Sequence, residues 1–299
     1  MASTNTLASS SRPQWLSLFV HLRLHYQLLF LSPLFGLGFM LGGGEPSRRA
    51  ALGFLAFHVF LYGGITAYNS YYDRDEGPVG GLWTPPKVSE ALYGFSLGVQ
   101  GMGLAICTLV GLEFSGLYLL VMVLSVAYSH PRFRWKARPI LSLVVVAFGQ
   151  GAVGFFGGWL CGSTPPKPWL GFEGLLGSAA AALITVGLYP LTQLYQIEED
   201  RARGDRTFAV AFGARNSFTF ALTCVALGGA CLLPLVKRLF GSADAALLLA
   251  VFVALLVVIA RWRSRFKNEV AANFRILHTL QFVLSIGVLG YIGIRLAFR

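Results

Sequence analysis

One polar motif occurs twice in this sequence, each time directly after a long apolar run. Residues 68–77 read Tyr-Asn-Ser-Tyr-Tyr-Asp-Arg-Asp-Glu-Gly, and residues 195–204 read Tyr-Gln-Ile-Glu-Glu-Asp-Arg-Ala-Arg-Gly. Both fit the pattern Y-(N/Q)-x-x-x-D-R-x-x-G. The amide residue and the aspartate are four positions apart, so on a helix they lie on one face, and the closing glycine favours a helix end. The repeat therefore predicts two helix ends that project carboxylates into a polar pocket.

The composition indicates that most of the chain lies within a membrane. Of the 299 residues, 55% are hydrophobic and only 12% are charged, and the mean hydropathy is +0.64. Apolar stretches of roughly twenty residues, each long enough to cross about 30 Å of hydrocarbon, recur from end to end. Backbone groups in lipid must satisfy their own hydrogen bonds, and the period-two alternation of a membrane barrel is absent. We predict an all-α integral membrane protein with nine transmembrane helices in a bundle.

The predicted spans form a single domain over residues 15–299, preceded by a disordered cytoplasmic tail at residues 1–14. The motifs close the second and sixth spans, which suggests two related halves. Ser32-Pro33 in the first span predicts a kink. The spans are expected at 15–41, 50–70, 89–110, 114–129, 139–161, 172–196, 214–236, 243–261 and 273–296.

The net charge of +11 reflects basic residues in short loops, which set membrane orientation, so we expect no nucleic-acid partner. With a cytoplasmic amino terminus, the tail, the loops after even-numbered spans and the adjoining span ends together carry 17 of the 24 lysines and arginines. The positive-inside rule then places both motifs on the cytoplasmic side. We expect an integral protein of a bacterial inner membrane, in contact with membrane lipid, with its active-site loops in the cytoplasm.

Charged side chains at membrane depth are costly and are usually functional. Two facing acidic helix ends suit Mg²⁺, a hard cation that takes oxygen ligands and bridges phosphates. Ordinary charged helix caps are the alternative, but caps need not repeat residue by residue. Asp73, Asp200 and Asn69 are the predicted catalytic residues. The predicted metal ligands are Asn69, Asp73, Glu76, Gln196, Glu199 and Asp200.

Four basic residues are predicted to bind a diphosphate through charge-assisted hydrogen bonds. Arg74 and Arg201 follow the two motif aspartates, and Arg134 and Lys136 lie in the polar loop at 128–139. The alternatives are simple pairing of the motif arginines with adjacent carboxylates, and contact of the loop residues with the membrane surface. A membrane enzyme that acts on a diphosphate is the leading interpretation.

The sequence resembles the UbiA superfamily of intramembrane prenyltransferases over nearly its whole length. Asn69 to Gly77 resembles the family motif N-D-x-x-D-x-x-x-D. Gln196 to Thr207 resembles D-x-x-x-D-R-x-x-G-x-R-T, and the stretch from Tyr128 to Lys136 resembles Y-S-x-P-x-x-x-K. Asn69, Asp73 and Asp200 match the family's metal or diphosphate positions, and Arg201 and Lys136 match its basic positions.

The resemblance implies a helical bundle around a central cavity with a lateral opening to lipid. It also implies Mg²⁺-dependent ionisation of a polyprenyl diphosphate, transfer of the prenyl group to a lipophilic acceptor, and departure of pyrophosphate. The acceptor would be an aromatic or quinone precursor or a carotenoid-like lipid.

The chain departs from the family pattern where Ser70, Gly77 and Gln196 replace aspartates of the two motifs. These departures raise an alternative, a non-catalytic isoprenoid-binding paralogue. An ion-coupled transporter is a further alternative, because acidic membrane residues and internal repeats also occur in transporters. The acidic motifs, however, lie at helix ends on one side and not at the bilayer midplane.

Overall fold

The computed structural model describes residues 14–298, and this part of the chain is helical, with one isolated β-bridge between Val79 and Leu82. Nine long helices and one short helix follow one another along it. Their bounds are α1 Trp15–Leu41, α2 Arg48–Asp73, α3 Ala91–Cys107, α4 Leu112–Ser129, α5 Pro139–Cys161, α6 Phe172–Thr192, α7 Ile197–Ala202, α8 Phe208–Phe240, α9 Ser242–Ser264 and α10 Val270–Ala297.

The all-helical membrane fold is confirmed, with a small difference in the number of spans. In the described residues, eight helices are long and apolar enough to cross a membrane. The predicted third span corresponds to α3, which is apolar but has only 17 residues. The predicted tail at 1–14 lies outside the described residues except for Gln14.

The main break of α1 precedes the predicted kink. The helix is interrupted at 21–23, where Arg23 has a left-handed backbone with φ of 50°. A π-helical turn, Gln27–Leu31, then leads into Ser32–Leu41, and Pro33 occupies the first turn of that segment, where its missing N–H costs little. The Arg23 break leaves a charged side chain within the first span.

The sixth span is shorter than predicted, ending at Thr192 and not at residue 196. Pro190 lacks an N–H and disturbs the helical ladder near this end. A turn at 193–196 follows, and Gln193 accepts a hydrogen bond from the Ala209 N–H at 3.0 Å, which ties the turn to the start of α8. The second motif therefore forms the separate short helix α7 instead of the end of a long span.

Close contact between α1 and α5 brings the first half of the bundle together. A Cβ on Gly38 would overlap the carbonyl oxygen of Phe155, and a Cβ on Gly158 would overlap that of Phe35. Only glycine permits two helix backbones to approach in this way. The apolar surfaces of α9 and α10 are mostly exposed, as expected for helices that face lipid.

Candidate active site

A cavity of about 210 Å³ lies inside the bundle, with polar residues at one end and apolar side chains along its walls. The polar end is formed by the end of α2, the loop between α4 and α5, and the region around α7. The apolar walls come from α2, α4 and α5 and include Ile65, Val121, Leu124, Val145 and Val146. The residues of the polar end are Arg23, Asn69, Asp73, Asp75, Lys136, Gln196, Asp200, Arg203 and Asp205.

The first motif closes α2 in the geometry that its spacing predicts. The Asn69 side-chain amide donates to Asp73 at 2.7 Å, one helical turn later. The Asn69 carbonyl oxygen accepts from the Ser129 hydroxyl at 2.9 Å. The helix ends at Asp73 because Arg74 takes a left-handed conformation with φ of 52°. These bonds fix the orientation of Asn69 and leave the Asp73 carboxylate at the cavity.

Lys136 reaches the first motif from the loop between α4 and α5. Its buried ammonium pairs with the Asp73 carboxylate and lies 3.5 Å from the Asn69 carbonyl oxygen. Burial lowers the pKa of Lys136 to about 7, against the opposing attraction of Asp205. The short turn Trp135–Ala137, which carries Lys136, follows a left-handed residue, Arg134.

Arg203 joins the two motifs. Its guanidinium donates to Asp75 of the first motif at 2.5 Å and to Asp200 of the second at 2.8 Å. Burial raises the pKa of the Asp200 carboxyl. Burial alone would lower the pKa of Arg203, but the bonds to Asp75 and Asp200 hold it above its ordinary value. The cation therefore balances carboxylates that would otherwise repel one another.

Asp205 connects the second motif to the loop between α4 and α5. Arg134 donates to its two carboxylate oxygens at 2.7 and 2.9 Å, a bidentate pair. The Asp205 carboxylate also lies 3.6 Å from Arg203, and its N–H donates to the Asp200 carbonyl oxygen at 2.9 Å. Arg134 is thus held by Asp205, with the Asp73 carboxylate 4.0 Å away.

Arg23 is a further cation of the polar end that the sequence motifs do not predict. It is buried, donates to the Ser70 hydroxyl at 2.7 Å and lies 3.9 Å from the Asp75 carboxylate. Gly80 is required beside it, since a Cβ there would overlap the guanidinium and φ is +46°. The sequence does contain a signal for this role. Arg23 is a charged residue inside the first apolar span, and a charge buried in a membrane is costly and usually functional.

Several predicted site residues lie outside the cavity lining. Arg74 is exposed and pairs with Glu90 at 2.7 Å, and Arg201 is exposed and pairs with Glu198 at 2.9 Å. The structure does not bring these two arginines to the cavity. Glu76 is also exposed, and its N–H donates to Glu199 at 3.2 Å. Their predicted roles stay predictions.

Residues 30–286 match the sequence profile of the UbiA prenyltransferase family, which is most of the chain. The chain belongs to the UbiA prenyltransferase family. The lycopene elongase/hydratase of Haloferax volcanii is 30% identical to this UbiA protein over 202 residues, 64% of this chain and 58% of that relative. The match therefore spans less than two thirds of the curated relative.

The fold of this UbiA protein is shared with solved structures of a UbiA homolog from Archaeoglobus fulgidus. The homolog bound to DMAPP and Mg²⁺ superposes with a TM-score of 0.73 at 20% identity, over 95% of this chain and 100% of that one. The homolog bound to GPP and Mg²⁺ gives a TM-score of 0.72, over 94% and 99% of the two chains. At this identity the likeness establishes the fold.

The donor atoms at the polar end of this UbiA protein's cavity fit a hard divalent cation. Within residues 14–298, no three histidine, cysteine or acidic side chains are grouped as a ready metal site. The carboxylates of Asp73, Asp200 and Asp205 are instead paired with Lys136, Arg203 and Arg134. One buried oxygen of Asp75 still has no hydrogen-bond donor within this part of the chain. Carboxylate and amide oxygens are the ligands that Mg²⁺ takes. The set consists of Asn69, Asp73, Asp75, Gln196, Asp200 and Asp205.

Two of the positions that depart from the family pattern, Ser70 and Gly77, lie against other site side chains. Ser70, where the family has an aspartate, is the acceptor for Arg23. At Gly77 an added Cβ would lie 2.9 Å from a carboxylate oxygen of Glu199. The acidic side chain next to position 77 is thus supplied by the second motif.

Proposed function

We propose that this protein is a Mg²⁺-dependent membrane prenyltransferase that moves a prenyl group from a polyprenyl diphosphate to a lipophilic acceptor. The observation that carries the proposal is the meeting of the two motifs. Asp75 and Arg203, 128 positions apart, are hydrogen-bonded at the polar end of a cavity whose walls are apolar. The charged polar end suits a diphosphate, and the apolar walls suit a prenyl chain.

Mg²⁺ would be held by the cavity-lining oxygens of the two motifs, with Asp73 and Asp200 first among them. When bound, it neutralises the diphosphate and stabilises the pyrophosphate that departs. Lys136 and Arg23 are the cavity-lining cations placed to bind diphosphate oxygens through charge-assisted hydrogen bonds. Lys136 is paired with Asp73 and Arg203 with Asp200, so these two ion pairs would have to loosen for the carboxylates to hold the cation.

In this reaction the bond between the prenyl carbon and the diphosphate oxygen breaks, and the oxygen keeps the electron pair. The acceptor's π electrons form the new carbon–carbon bond, and the acceptor then loses a proton. The apolar walls exclude water, which would otherwise capture the allylic cation. Aromatic faces attract cations, and five tyrosines line the cavity, Tyr26, Tyr62, Tyr128, Tyr189 and Tyr195.

The acceptor is proposed to be a carotenoid-like lipid or an aromatic or quinone precursor. The similarity to the lycopene elongase/hydratase of Haloferax volcanii favours the carotenoid-like class. A cavity with apolar walls suits either acceptor, because both are largely hydrocarbon.

The decisive experiment measures pyrophosphate release by the protein in lipid nanodiscs, with prenyl diphosphates of increasing length and with or without Mg²⁺. We expect Mg²⁺-dependent release that Asp73→Asn and Asp200→Asn each reduce by at least about a hundredfold. Glu198→Gln is the matched control, since Glu198 is an exposed carboxylate of the same motif and does not line the cavity. Equal loss in all three variants would contradict the assigned roles.

A non-catalytic isoprenoid-binding protein is the second candidate, because Gln196 supplies a neutral amide where the family has a carboxylate. In that case the protein would bind prenyl diphosphate and release no pyrophosphate with any donor, even when a membrane lipid extract supplies acceptors. Binding measured beside the release assay separates the two candidates.

We also propose that residues 15–299 form one domain of two related halves in a bacterial inner membrane, with the motif loops in the cytoplasm. The excess of lysine and arginine in the loops at that end supports this orientation. The four native cysteines are buried or partly buried, so new cysteines at exposed Arg201 and Lys167 can report the sidedness. A membrane-impermeant thiol reagent should label the Arg201 position only in inverted vesicles and the Lys167 position only in right-side-out vesicles.

A further inference from the structure

A second cavity, of about 550 Å³, opens between α8 and α9 and shares no lining residue with the candidate active site. It lies at the motif end of the bundle. The loop that follows α9 reaches α7 there, where the Asn268 amide donates to Glu198 at 3.4 Å. The lining residues are Arg215, Phe218, Ala260, Arg263, Ser264 and Phe266.

The side chains of the two arginines of this cavity have no partner among residues 14–298. Neither the Arg215 nor the Arg263 guanidinium has a hydrogen bond or an ion pair with any residue in the described part of the chain. The arginines of the candidate active site differ sharply, since Arg203 and Arg134 are bound to carboxylates. Two cations that line one open cavity, with no ion pair to the described residues, are suited to an external anion.

The floor of the cavity is aromatic and fixed in place. The buried Phe218 ring lies edge-on to Phe266 and Trp262, with centroid distances of 5.6 and 5.1 Å. The Trp262 N–H donates to the Asn273 side chain at 3.1 Å, which anchors this cluster to α10. Phe266, from the loop that follows α9, is thus packed against the buried Phe218 ring, and packed aromatic side chains bound this part of the cavity.

An apolar, lipid-facing surface leads away from the arginines along α9. Val253, Val257 and Ala260 are exposed and spaced at four and three residues, so they lie on one face of the helix. Ala260 at the end of this row lines the cavity itself. A molecule with a phosphate group in the cavity could lay hydrocarbon chains along the row.

We propose that the cavity binds the phosphate headgroup of an anionic membrane lipid. Its two guanidinium groups supply charge-assisted bonds to the phosphate, and the α9 face receives the acyl chains. Anionic lipids are concentrated in the inner leaflet, on the side where positive charge gathers. This site lies beyond the proposed prenyl transfer and does not require it.

The test measures binding of phosphatidylglycerol to the full chain in a non-ionic detergent, by native mass spectrometry. Phosphatidylcholine with the same acyl chains supplies the zwitterionic arm, and inorganic phosphate supplies the soluble arm. The double variant Arg215→Gln/Arg263→Gln removes both cavity cations. Its matched control is Arg261→Gln/Arg265→Gln, which removes the same charge from exposed positions nearby that do not line the cavity.

We expect the cavity variant to bind phosphatidylglycerol at least about tenfold more weakly than the unmodified protein, and the control variant less than about twofold more weakly. Arg215→Lys/Arg263→Lys keeps the charge and should retain most of the binding. Asp73→Asn should bind the lipid normally, which separates this site from prenyl transfer.

Equal weakening in the cavity and control variants would overturn the proposal, since it would mean a general attraction to a basic surface. Binding of phosphatidylcholine as tight as that of phosphatidylglycerol would also overturn it. Displacement of the lipid by inorganic phosphate at an equal concentration would assign the site to a soluble phosphate and not to a lipid.

Discussion

The guanidinium of Arg203 lies 2.5 Å from a carboxylate oxygen of Asp75, across 128 positions of sequence. The same guanidinium is 2.8 Å from Asp200 and 3.6 Å from Asp205. Three buried carboxylates therefore share one cation. Because these carboxylates come from both motifs, the shared cation also holds the two motifs together. Buried carboxylates that lie close together repel one another strongly. Arg203 is therefore the internal counter-charge of the acidic cluster.

Replacing this counter-charge should weaken folding and increase the effect of divalent cations. Arg203→Gln leaves buried carboxylates without their partner, a change that costs about 3 kcal/mol of unfolding free energy. The carboxylates that it releases then have Mg²⁺ as their best available counter-charge. We expect a lower Tm than in the unmodified protein and a larger rise of Tm when Mg²⁺ is added, measured by thermal unfolding in detergent.

Arg201→Gln is the control for this experiment, because Arg201 lies two residues away and its ion pair is with exposed Glu198. Exposed ion pairs contribute about 0–1 kcal/mol, so its Tm and its response to Mg²⁺ should match those of the unmodified protein. The same Mg²⁺-dependent rise in both variants would refute the counter-charge role of Arg203.

Much of this arrangement can be derived from the sequence, because it is encoded locally. The spacing of Asn69 and Asp73 already places both on one helical face, and the apolar run before them already requires a membrane helix. The repeat of the motif predicts a second helix end of the same kind. Lys136 could be assigned from the family motif, and the structure places it against Asp73.

The remaining features depend on contacts between distant parts of the chain. The partners of Arg203 cannot be read from its neighbours, since one of them belongs to the other motif. The role of Arg23 depends on a left-handed break in α1 that no proline or glycine marks. Pro190 is a local signal for the end of α6, but the turn after Thr192 is held by the Gln193 contact with Ala209, 16 positions later, which the local sequence does not reveal.

The neutral amide of Gln196 is a direct test of the metal site. Gln196 lines the cavity in the position where the family motif has an aspartate. A carboxylate binds a hard cation more strongly than an amide does, so Gln196→Asp should lower the Mg²⁺ concentration for half-maximal pyrophosphate release several-fold. Gln196→Asn changes length but not charge and should not lower it. A Mg²⁺ titration unchanged by Gln196→Asp would remove Gln196 from the metal site.

Gly77 and Glu199 should behave as a coupled pair. Because Glu199 already occupies the space beside Gly77, Gly77→Asp would place a second carboxylate against it and lower Tm. Gly77→Ala should cost less, since the flexible Glu199 side chain can move aside. Adding Glu199→Ala should restore most of the stability lost by Gly77→Asp.

A double-mutant cycle over these two positions measures the coupling. Strict additivity of the Tm changes would show that the two side chains do not interact. The cycle should give a favourable coupling of about 1 kcal/mol in the double variant, as expected for relief of repulsion between neighbouring groups.

The contact between α1 and α5 predicts that replacing a glycine by alanine lowers stability at some positions and not at others. Gly158→Ala places a methyl group onto the Phe35 carbonyl, so the two helices must separate and the cost should be about 2–3 kcal/mol. Gly290→Ala in α10 meets no atom of residues 14–298 within 4 Å and should leave stability unchanged or raise it by about 0.5–1 kcal/mol through helix propensity. Thermal unfolding of both variants in one detergent tests this difference. Equal Tm values would mean that α1 and α5 do not pack through Gly158.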